Sequence, residues 1–150
     1  MSNQGLDHCS WPPAEPPGDQ LRALVVDDSA VIRELIAVNL ELEGFLVTCA
    51  SDGEAALRAV LEVVPHVITL DVMMPRLDGI ATVRRLREDP ATADIPIVIV
   101  SGRSTGADIE RGRLAGAEAY LTKPFEPSEL VEVCRRLALE GRPGQGANPV

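Results

Sequence analysis

The sequence predicts an α/β protein with a doubly wound, parallel sheet of five strands. Five apolar runs rich in Val, Ile and Leu alternate with five amphipathic segments, and continuous β-branched runs are typical of strands buried on both faces. Four of these runs end directly at Asp27, Asp71, Ser101 and Lys123. Because the carboxyl ends of parallel strands share one edge of the sheet, we expect these side chains to lie together.

The strands are predicted from the apolar runs, and each run is bounded by turn-forming or charged residues. They cover about 22–26, 45–50, 66–70, 95–100 and 118–122. Strands separated by helical segments of this length indicate five βα units and a parallel sheet.

The helices are predicted at about 29–43, 54–63, 79–87, 105–115 and from Pro127 onward. Gly44 follows the first helix as a stop signal. Ser51 and Glu54 have the spacing of a capping box before the second. Pro127 suits the first turn of the last helix, since that position needs no backbone N–H.

The folded body is predicted to span 21–139, with room for one domain in 150 residues. Residues 1–20 carry four prolines and few apolar side chains, so a disordered tail is expected there. Residues 140–150 are rich in Gly and Pro and predict a second flexible tail. The net charge of −9 argues against nucleic acid and anionic membranes as partners. No apolar stretch approaches the roughly 20 residues that span a bilayer.

The cysteines favour a cytoplasmic protein. Cys9, Cys49 and Cys134 have neither the spacing of a metal site nor an evident disulfide framework. Cys49 and Cys134 are interpreted as small apolar packing residues, and the N-terminus lacks the pattern of a signal peptide. Reduced cysteines of this kind are usual in the cytoplasm.

Lys123 is the only lysine among 14 basic residues, the others being arginine. Lysine ends in a compact ammonium, whereas arginine ends in a broad planar fork. A site that contacts a single phosphoryl oxygen would therefore select lysine. The position of Lys123 at a strand end beside Pro124 favours this reading over a chance surface lysine.

Asp27, Asp28 and Asp71 would bring three carboxylates to one place, and close like charges need a cation or a proton. Oxygen ligands of this type suit Mg²⁺. The alternative, in which Asp27 and Asp28 only cap the first helix, does not account for Asp71. An aspartate carboxylate can attack phosphorus to give an aspartyl phosphate. Lys123 and the metal would neutralise charge on the transferring group, and Ser101 would donate a hydrogen bond to it.

Four segments together resemble a bacterial response-regulator receiver domain, and the resemblance covers about 21–139. Their order and spacing along the chain match that family. They are Val25-Val26-Asp27-Asp28-Ser29, Leu70-Asp71-Val72-Met73-Met74-Pro75-Arg76-Leu77-Asp78-Gly79, Val100-Ser101-Gly102, and Gly116-Ala117 through Tyr120-Leu121-Thr122-Lys123-Pro124-Phe125.

The resemblance implies a flavodoxin-like fold with strand order 2-1-3-4-5 and a magnesium-dependent phosphoacceptor site. Asp71 would be the phosphoacceptor. Asp28, Asp71 and the backbone carbonyl of Met73 would coordinate Mg²⁺ directly, and Asp27 would do so through water. No further cofactor is implied.

The resemblance also implies a switch beside that site. Ser101 and Lys123 would contact the phosphoryl group, and Tyr120 matches the aromatic residue that turns inward when the hydroxyl engages it. The Lys123-Pro124 peptide bond would be cis. Met73 and Arg103 occupy variable positions that tune dephosphorylation in the family.

The implied function is that of a signalling switch in a two-component system rather than a turnover enzyme. A sensor histidine kinase or a histidine phosphotransfer protein would donate the phosphoryl group from a phosphohistidine. Output would pass by contact to an unidentified protein, in a stand-alone regulator similar to chemotaxis regulators. Ala119 and Val133 stand where charged dimer contacts are expected, which predicts a monomer or weak dimer.

Other classes fit the sequence less well. A phosphorelay intermediate, or a pseudo-receiver that binds proteins without being phosphorylated, would share the fold. A phosphatase of the haloacid-dehalogenase type needs a second acid two residues after Asp71, where the chain has Met73. A dinucleotide-binding domain needs a glycine-rich turn after the first strand, where the chain has Asp27-Asp28-Ser29.

Overall fold

The computed structural model describes residues 20–74 and 78–141. Five strands form one sheet: β1 (Arg22–Val26), β2 (Leu46–Ala50), β3 (Val67–Leu70), β4 (Ile97–Ser101) and β5 (Ala119–Thr122). A helix follows each strand: α1 (Ala30–Leu42), α2 (Gly53–Val63), α3 (Gly79–Glu88), α4 (Gly106–Ala115) and α5 (Pro127–Glu140). The tails predicted at 1–20 and 140–150 lie, apart from Gln20, Glu140 and Gly141, outside the described residues.

The sheet has the predicted order β2-β1-β3-β4-β5, and every pair of neighbouring strands is parallel. Val26 at the end of β1 lies beside Ala50 of β2 and Leu70 of β3. The residues that follow, Asp27 and Asp71, therefore leave two adjacent strands at the same level. The register of the sheet, rather than any loop, brings the two carboxylates together.

The core is split between the two faces of the sheet. On one face, α1 and α5 pack on alternate strand residues, and this cluster includes Val25, Ile36, Leu40, Val98 and Leu130. On the other face, α2, α3 and α4 pack on the remaining strand residues, including Leu24, Val60, Ile68, Val83 and Ile99. Helices cover both faces of the central strands, which explains why these strands are continuous apolar runs in the sequence.

The helix caps differ in part from the predictions. Ser29 is the N-cap of α1 and its side chain accepts the N–H of Ile32, so neither Asp27 nor Asp28 caps this helix. At α2 the N-cap is Asp52, which accepts the N–H of Ala55, and not Ser51. Aspartate is as good an N-cap as serine, so the helix begins one residue later than the Ser51 spacing indicates.

The cysteines correct one expectation. Of the two within the described ranges, Cys134 is fully buried, and burial raises the pKa of its thiol to about 12. Cys49, however, is disulfide-bonded, so it is not merely a packing residue. None of the helices within 20–74 and 78–141 is long and apolar enough to cross a membrane.

Candidate functional site

Three carboxylates meet at the carboxyl edge of the sheet, as the sequence predicts. Oxygen atoms of Asp27, Asp28 and Asp71 all lie within 4.8 Å of one another. Asp27 and Asp71 are buried, with 1% and 5% of their surface exposed, whereas Asp28 is exposed. The cluster is thus a shallow acidic pocket with two fixed carboxylates at its base and one at its mouth.

The two buried carboxylates are held by the backbone around them. Asp27 Oδ1 accepts the N–H of Ser29 at 2.9 Å, and Asp71 Oδ1 accepts the N–H of Met73 at 3.1 Å. The Asp71 N–H donates to the carbonyl of Val26 at 3.0 Å, which extends the sheet pairing into the site. In both residues the second carboxylate oxygen, Oδ2, is left to face the centre of the cluster.

Lys123 provides the cation of the cluster. Its Nζ donates to Asp27 Oδ2 at 2.9 Å and to Asp71 Oδ2 at 3.3 Å. Its backbone N–H donates to the carbonyl of Ser101 at 2.8 Å, which ties β5 to the end of β4. Even when the Arg33 guanidinium on the Asp27 backbone carbonyl is counted, two cations for three carboxylates leave an excess of negative charge among the described residues.

The pKa of Asp71 is raised above its ordinary value. Burial is the largest cause, and the neighbouring Asp27 adds to it, whereas the N–H of Met73 and the Lys123 ammonium act in the opposite direction. Burial lowers the pKa of Lys123, but hydrogen bonding and attraction to Asp27 and Asp71 outweigh it, and the net pKa is raised. Lys123 is therefore firmly charged, while Asp71 is less acidic than in water.

Ser101 lies beside the cluster without entering it. Its side chain is fully buried, and its Oγ accepts the backbone N–H of Arg103 at 3.1 Å. Within the described part of the chain, no hydrogen bond joins this hydroxyl to Asp71 or Lys123. The structure therefore brings the three carboxylates and the Lys123 ammonium together as predicted, and Ser101 lies next to them without a hydrogen bond to them.

Tyr120 is half-buried, and its hydroxyl donates to the backbone carbonyl of Arg103. The ring lies over α4, where a Cβ added to Gly112 would approach Tyr120 Cδ2 to 3.1 Å and Ile99 Cδ1 to 2.8 Å. Tyr120 and Ser101 are thus both tied to Arg103, one through its carbonyl and the other through its N–H. The Lys123-Pro124 peptide bond is cis, as predicted.

Two residues that hold the site were not predicted from the sequence. Arg33 of α1 donates from Nη1 to the backbone carbonyl of Asp27 at 2.8 Å. Gly79 begins α3 against the end of β3, where an added Cβ would collide with the backbone carbonyl of Asp71. The sequence does indicate the role of Gly79, because glycine is needed where two backbones approach this closely. Arg33 gives no such signal.

Residues 23–135 match the family model of the response regulator receiver domain. The chain belongs to this family. Among curated relatives, it is 38% identical over 127 residues to the phosphate regulon transcriptional regulatory protein PhoB of Pseudomonas aeruginosa, covering 85% of the chain and 56% of PhoB. It is 38% identical over 116 residues to the DNA-binding dual master transcriptional regulator RpaA of Synechocystis, covering 77% of the chain and 48% of RpaA.

A solved structure with the same fold is the receiver domain of sensor histidine kinase PA1611 from Pseudomonas aeruginosa, which holds a magnesium ion in its active site cleft. The TM-score is 0.73 at 29% identity, and the match covers 79% of this chain and 98% of that domain. Receiver domains act in two-component signalling, so the predicted family and class of function are confirmed.

The relatives correct the prediction that nucleic acid is not a partner. RpaA is a DNA-binding regulator and PhoB a transcriptional regulator, so the exclusion of nucleic acid is wrong for proteins of this kind. The chain spans about half the length of these relatives, so its net charge is no guide to what the whole of such a protein binds. The stand-alone, chemotaxis-like subtype is likewise not confirmed.

Proposed function

We propose that this receiver domain is a phosphorylation-dependent switch in which Asp71 accepts a phosphoryl group. The observation that carries the proposal is the position of Asp71, whose carboxylate is fixed through Oδ1 while Oδ2 faces Lys123 at 3.3 Å. A carboxylate held this way keeps one oxygen available for attack, next to a cation that neutralises the charge brought by the phosphoryl group.

The donor is a phosphohistidine of a sensor histidine kinase or a histidine phosphotransfer protein. One oxygen of Asp71 attacks phosphorus, the P–N bond breaks, and the imidazole nitrogen keeps the electron pair of that bond. Lys123 contacts the transferred group with its ammonium, because Nζ already lies 3.3 Å from Asp71 Oδ2. The domain catalyses its own phosphorylation and dephosphorylation and is not a turnover enzyme.

Mg²⁺ is the proposed cofactor, and the donor set suits it. The three carboxylates have oxygens within 4.8 Å of one another, and Mg²⁺ prefers hard oxygen ligands with room for water. Asp28 and Asp71 would coordinate it directly with the carbonyl of Met73, and Asp27 would do so through water. When bound, the metal supplies positive charge against the phosphoryl oxygens.

The switch runs through Ser101 and Tyr120. Ser101 would leave the N–H of Arg103 and donate its hydroxyl to a phosphoryl oxygen. Because the hydroxyl of Tyr120 is bound to the carbonyl of the same Arg103, that movement disturbs the hydrogen bond of Tyr120 and frees the ring to turn inward. The change then reaches the surface formed by β5 and α4, where a partner reads it.

Transcriptional control is the output we propose, on the strength of the two curated relatives, with cytoplasmic location as part of the same proposal. A phosphorelay intermediate is the second candidate, favoured by the likeness to a receiver domain of a sensor kinase. Phosphotransfer profiling against the kinases and phosphotransfer proteins of the host separates them, since an intermediate passes its phosphoryl group on to a second histidine.

The test of the phosphoacceptor uses a small donor, acetyl phosphate or phosphoramidate, with Mg²⁺. The wild-type chain should gain one acid-stable, base-labile phosphoryl group by intact mass, and Asp71→Asn should gain none, because an amide is a poor nucleophile. Asp52→Asn is the matched control, since Asp52 is also buried after a strand at this edge, and it should be labelled normally. Equal labelling of Asp71→Asn and wild type would overturn the assignment and favour another acceptor.

A further inference from the structure

A cavity of about 280 Å³ lies next to the acidic cluster, between the start of α3 and α4. Its apolar lining comes from Val72, Met73, Ile80 and Ala81, and Tyr120 also borders it. Among the described residues that line it, none belongs to the acidic cluster. Because Met73 lines it, the cavity adjoins the phosphoacceptor pocket without including any of its carboxylates.

Three arginines reach this cavity from three different elements. Arg84 belongs to α3, Arg103 follows β4, and Arg111 belongs to α4. Arg111 pairs with Asp108 at 2.9 Å. Within residues 20–74 and 78–141, no hydrogen bond or ion pair engages the guanidinium of Arg84 or of Arg103. Two cations without a bonded counter-ion thus border one concave, partly apolar space.

The two acidic residues at the cavity are committed to helix ends. Asp78 is the N-cap of α3, and its Oδ1 accepts the N–H of Ala81 at 2.9 Å. Asp108 forms the capping box of α4 with Thr105. Asp108 already pairs with Arg111 while it caps α4, and the charge of Arg103 reaches it only at longer range. The hydrogen-bond donors of the Arg84 and Arg103 guanidinium groups are therefore open to an external anion.

We propose that this cavity binds a small anion in which a phosphate or carboxylate is joined to a flat apolar group. Guanidinium groups bind both anions through paired hydrogen bonds, and the valine, isoleucine and alanine lining together with the Tyr120 ring suits a flat apolar body. The volume lies near the lower end of ligand sites, about 300 Å³. A ligand the size of a phenyl phosphate fits it, whereas a macromolecular segment does not.

The ligand would also oppose the switch, and this part rests on the proposed function. Arg103 and Tyr120 both line the cavity, and the carbonyl of Arg103 accepts the Tyr120 hydroxyl. An anion on the Arg103 guanidinium, with its apolar part on the Tyr120 ring, holds the two residues in this arrangement. Inward movement of Tyr120 then requires the ligand to leave.

The probe for this site is phenyl phosphate, added to Mg²⁺-free protein with a chelator so that the acidic cluster cannot take up the phosphate through a metal. Amide chemical shifts should move in a saturable way at 80–84, 103, 111 and 120. Inorganic phosphate should bind more weakly, because it lacks the apolar part, and benzoate shows whether phosphate or carboxylate is preferred. No saturation up to about 10 mM, tenfold above a millimolar Kd, would overturn the site.

Arg84→Gln and Arg103→Gln should each lower the affinity for phenyl phosphate about tenfold, because each substitution removes one charge-assisted hydrogen bond. Arg85→Gln is the matched control, since Arg85 follows Arg84 on α3 but lines the groove toward α2, and it should bind as wild type does. An equal loss in Arg85→Gln, or shifts centred on Asp27 and Asp71, would mean general charge attraction and overturn the proposal.

The link to the switch is tested with fluoroberyllate and Mg²⁺, which together should lower the affinity of the cavity for phenyl phosphate about tenfold or more. Unchanged affinity, in protein whose amides at 118–125 do respond to fluoroberyllate, would overturn the link. If fluoroberyllate alone produces no response at 118–125, the proposed function fails instead, and the binding measured without Mg²⁺ still decides the site.

Discussion

The two ends of the sheet both bury charge, but they balance it differently. At the carboxyl edge three carboxylates face the Lys123 ammonium, with the Arg33 guanidinium on the Asp27 backbone carbonyl. At the amino edge of β4 and β5, Arg87 faces one carboxylate, Glu118, at 2.8 Å, with only 12% and 9% of the two side chains exposed. The first cluster has an excess of negative charge, which an external cation or a phosphoryl group can change. In the second, one cation balances one carboxylate.

Hydrogen bonding sharpens this contrast. The Arg87 guanidinium also donates to the backbone carbonyls of Ala93, Ile95 and Gly116, and Glu118 Oε1 accepts the N–H of Ile97 at 2.8 Å. These contacts join the end of α3 to the starts of β4 and β5. A buried ion pair whose remaining donors and acceptors are satisfied holds structure, whereas like charges held together leave a site that responds to what binds there.

The largest effect on stability is expected at the balanced end. Arg87→Met should lower the free energy of unfolding by about 3 kcal/mol, because it leaves Glu118 buried without its cation and several carbonyls without donors. Urea denaturation measures this. Arg85→Met, an exposed arginine on the same helix, should change it by less than about 0.5 kcal/mol. A loss below about 1 kcal/mol in Arg87→Met would mean that the network is not a structural anchor.

The unbalanced end should respond to metal instead. At a free Mg²⁺ concentration of 100 times its Kd, the wild type should gain about 2.7 kcal/mol, seen as a higher Tm than in potassium salt of equal ionic strength. Asp28→Ala should weaken this response yet stabilise the metal-free protein slightly, since one of three close negative charges is removed. A Tm that ignores Mg²⁺ would contradict a shared metal site.

The sequence predicted the unbalanced end far better than the balanced one. Asp27, Asp71 and Lys123 directly follow apolar strands, and parallel register dictates that such positions meet. Arg87 and Glu118 lie 31 residues apart, in a helix end and a loop, and most of their partners are backbone carbonyls, which have no sequence signal. The hydrogen-bond partner of Ser101 could not be predicted from the sequence either, because its hydroxyl can accept the N–H of Arg103 or donate to a phosphoryl oxygen.

The raised pKa of Asp71 predicts a pH dependence of stability. Its pKa is raised above 3.8 in the folded protein, so the native state keeps this proton at pH values where the unfolded chain has lost it. Stability therefore falls as the pH rises from the unfolded pKa through the raised one. Asp71→Asn should remove this part of the fall and stabilise the metal-free protein by about 1 kcal/mol at neutral pH.

Denaturation of both proteins across the acid range to neutrality, without Mg²⁺, checks this prediction. The difference between Asp71→Asn and wild type should grow as the pH rises and then level off. A difference that is constant across the range would show that the carboxylate charge of Asp71 is not what destabilises the cluster, and the contrast between the two ends would then rest on hydrogen bonding alone.

The smallest effect concerns the middle of the sheet, between the two charged ends. Thr69 of β3 is 1% exposed, and its Oγ1 has no hydrogen-bond partner in the part of the chain that the structure describes. Thr69→Val keeps the branched shape and removes the unpaired hydroxyl, so it should raise the free energy of unfolding by about 1 kcal/mol. Thr82→Val is the matched control: Thr82 is also fully buried, but its Oγ1 donates to the Asp78 carbonyl at 2.7 Å. Thr82→Val should lower the free energy of unfolding by about 1 kcal/mol, because it removes a hydrogen bond that is made. Equal effects of the two substitutions would show that side-chain shape, and not the missing partner, determines stability at these positions.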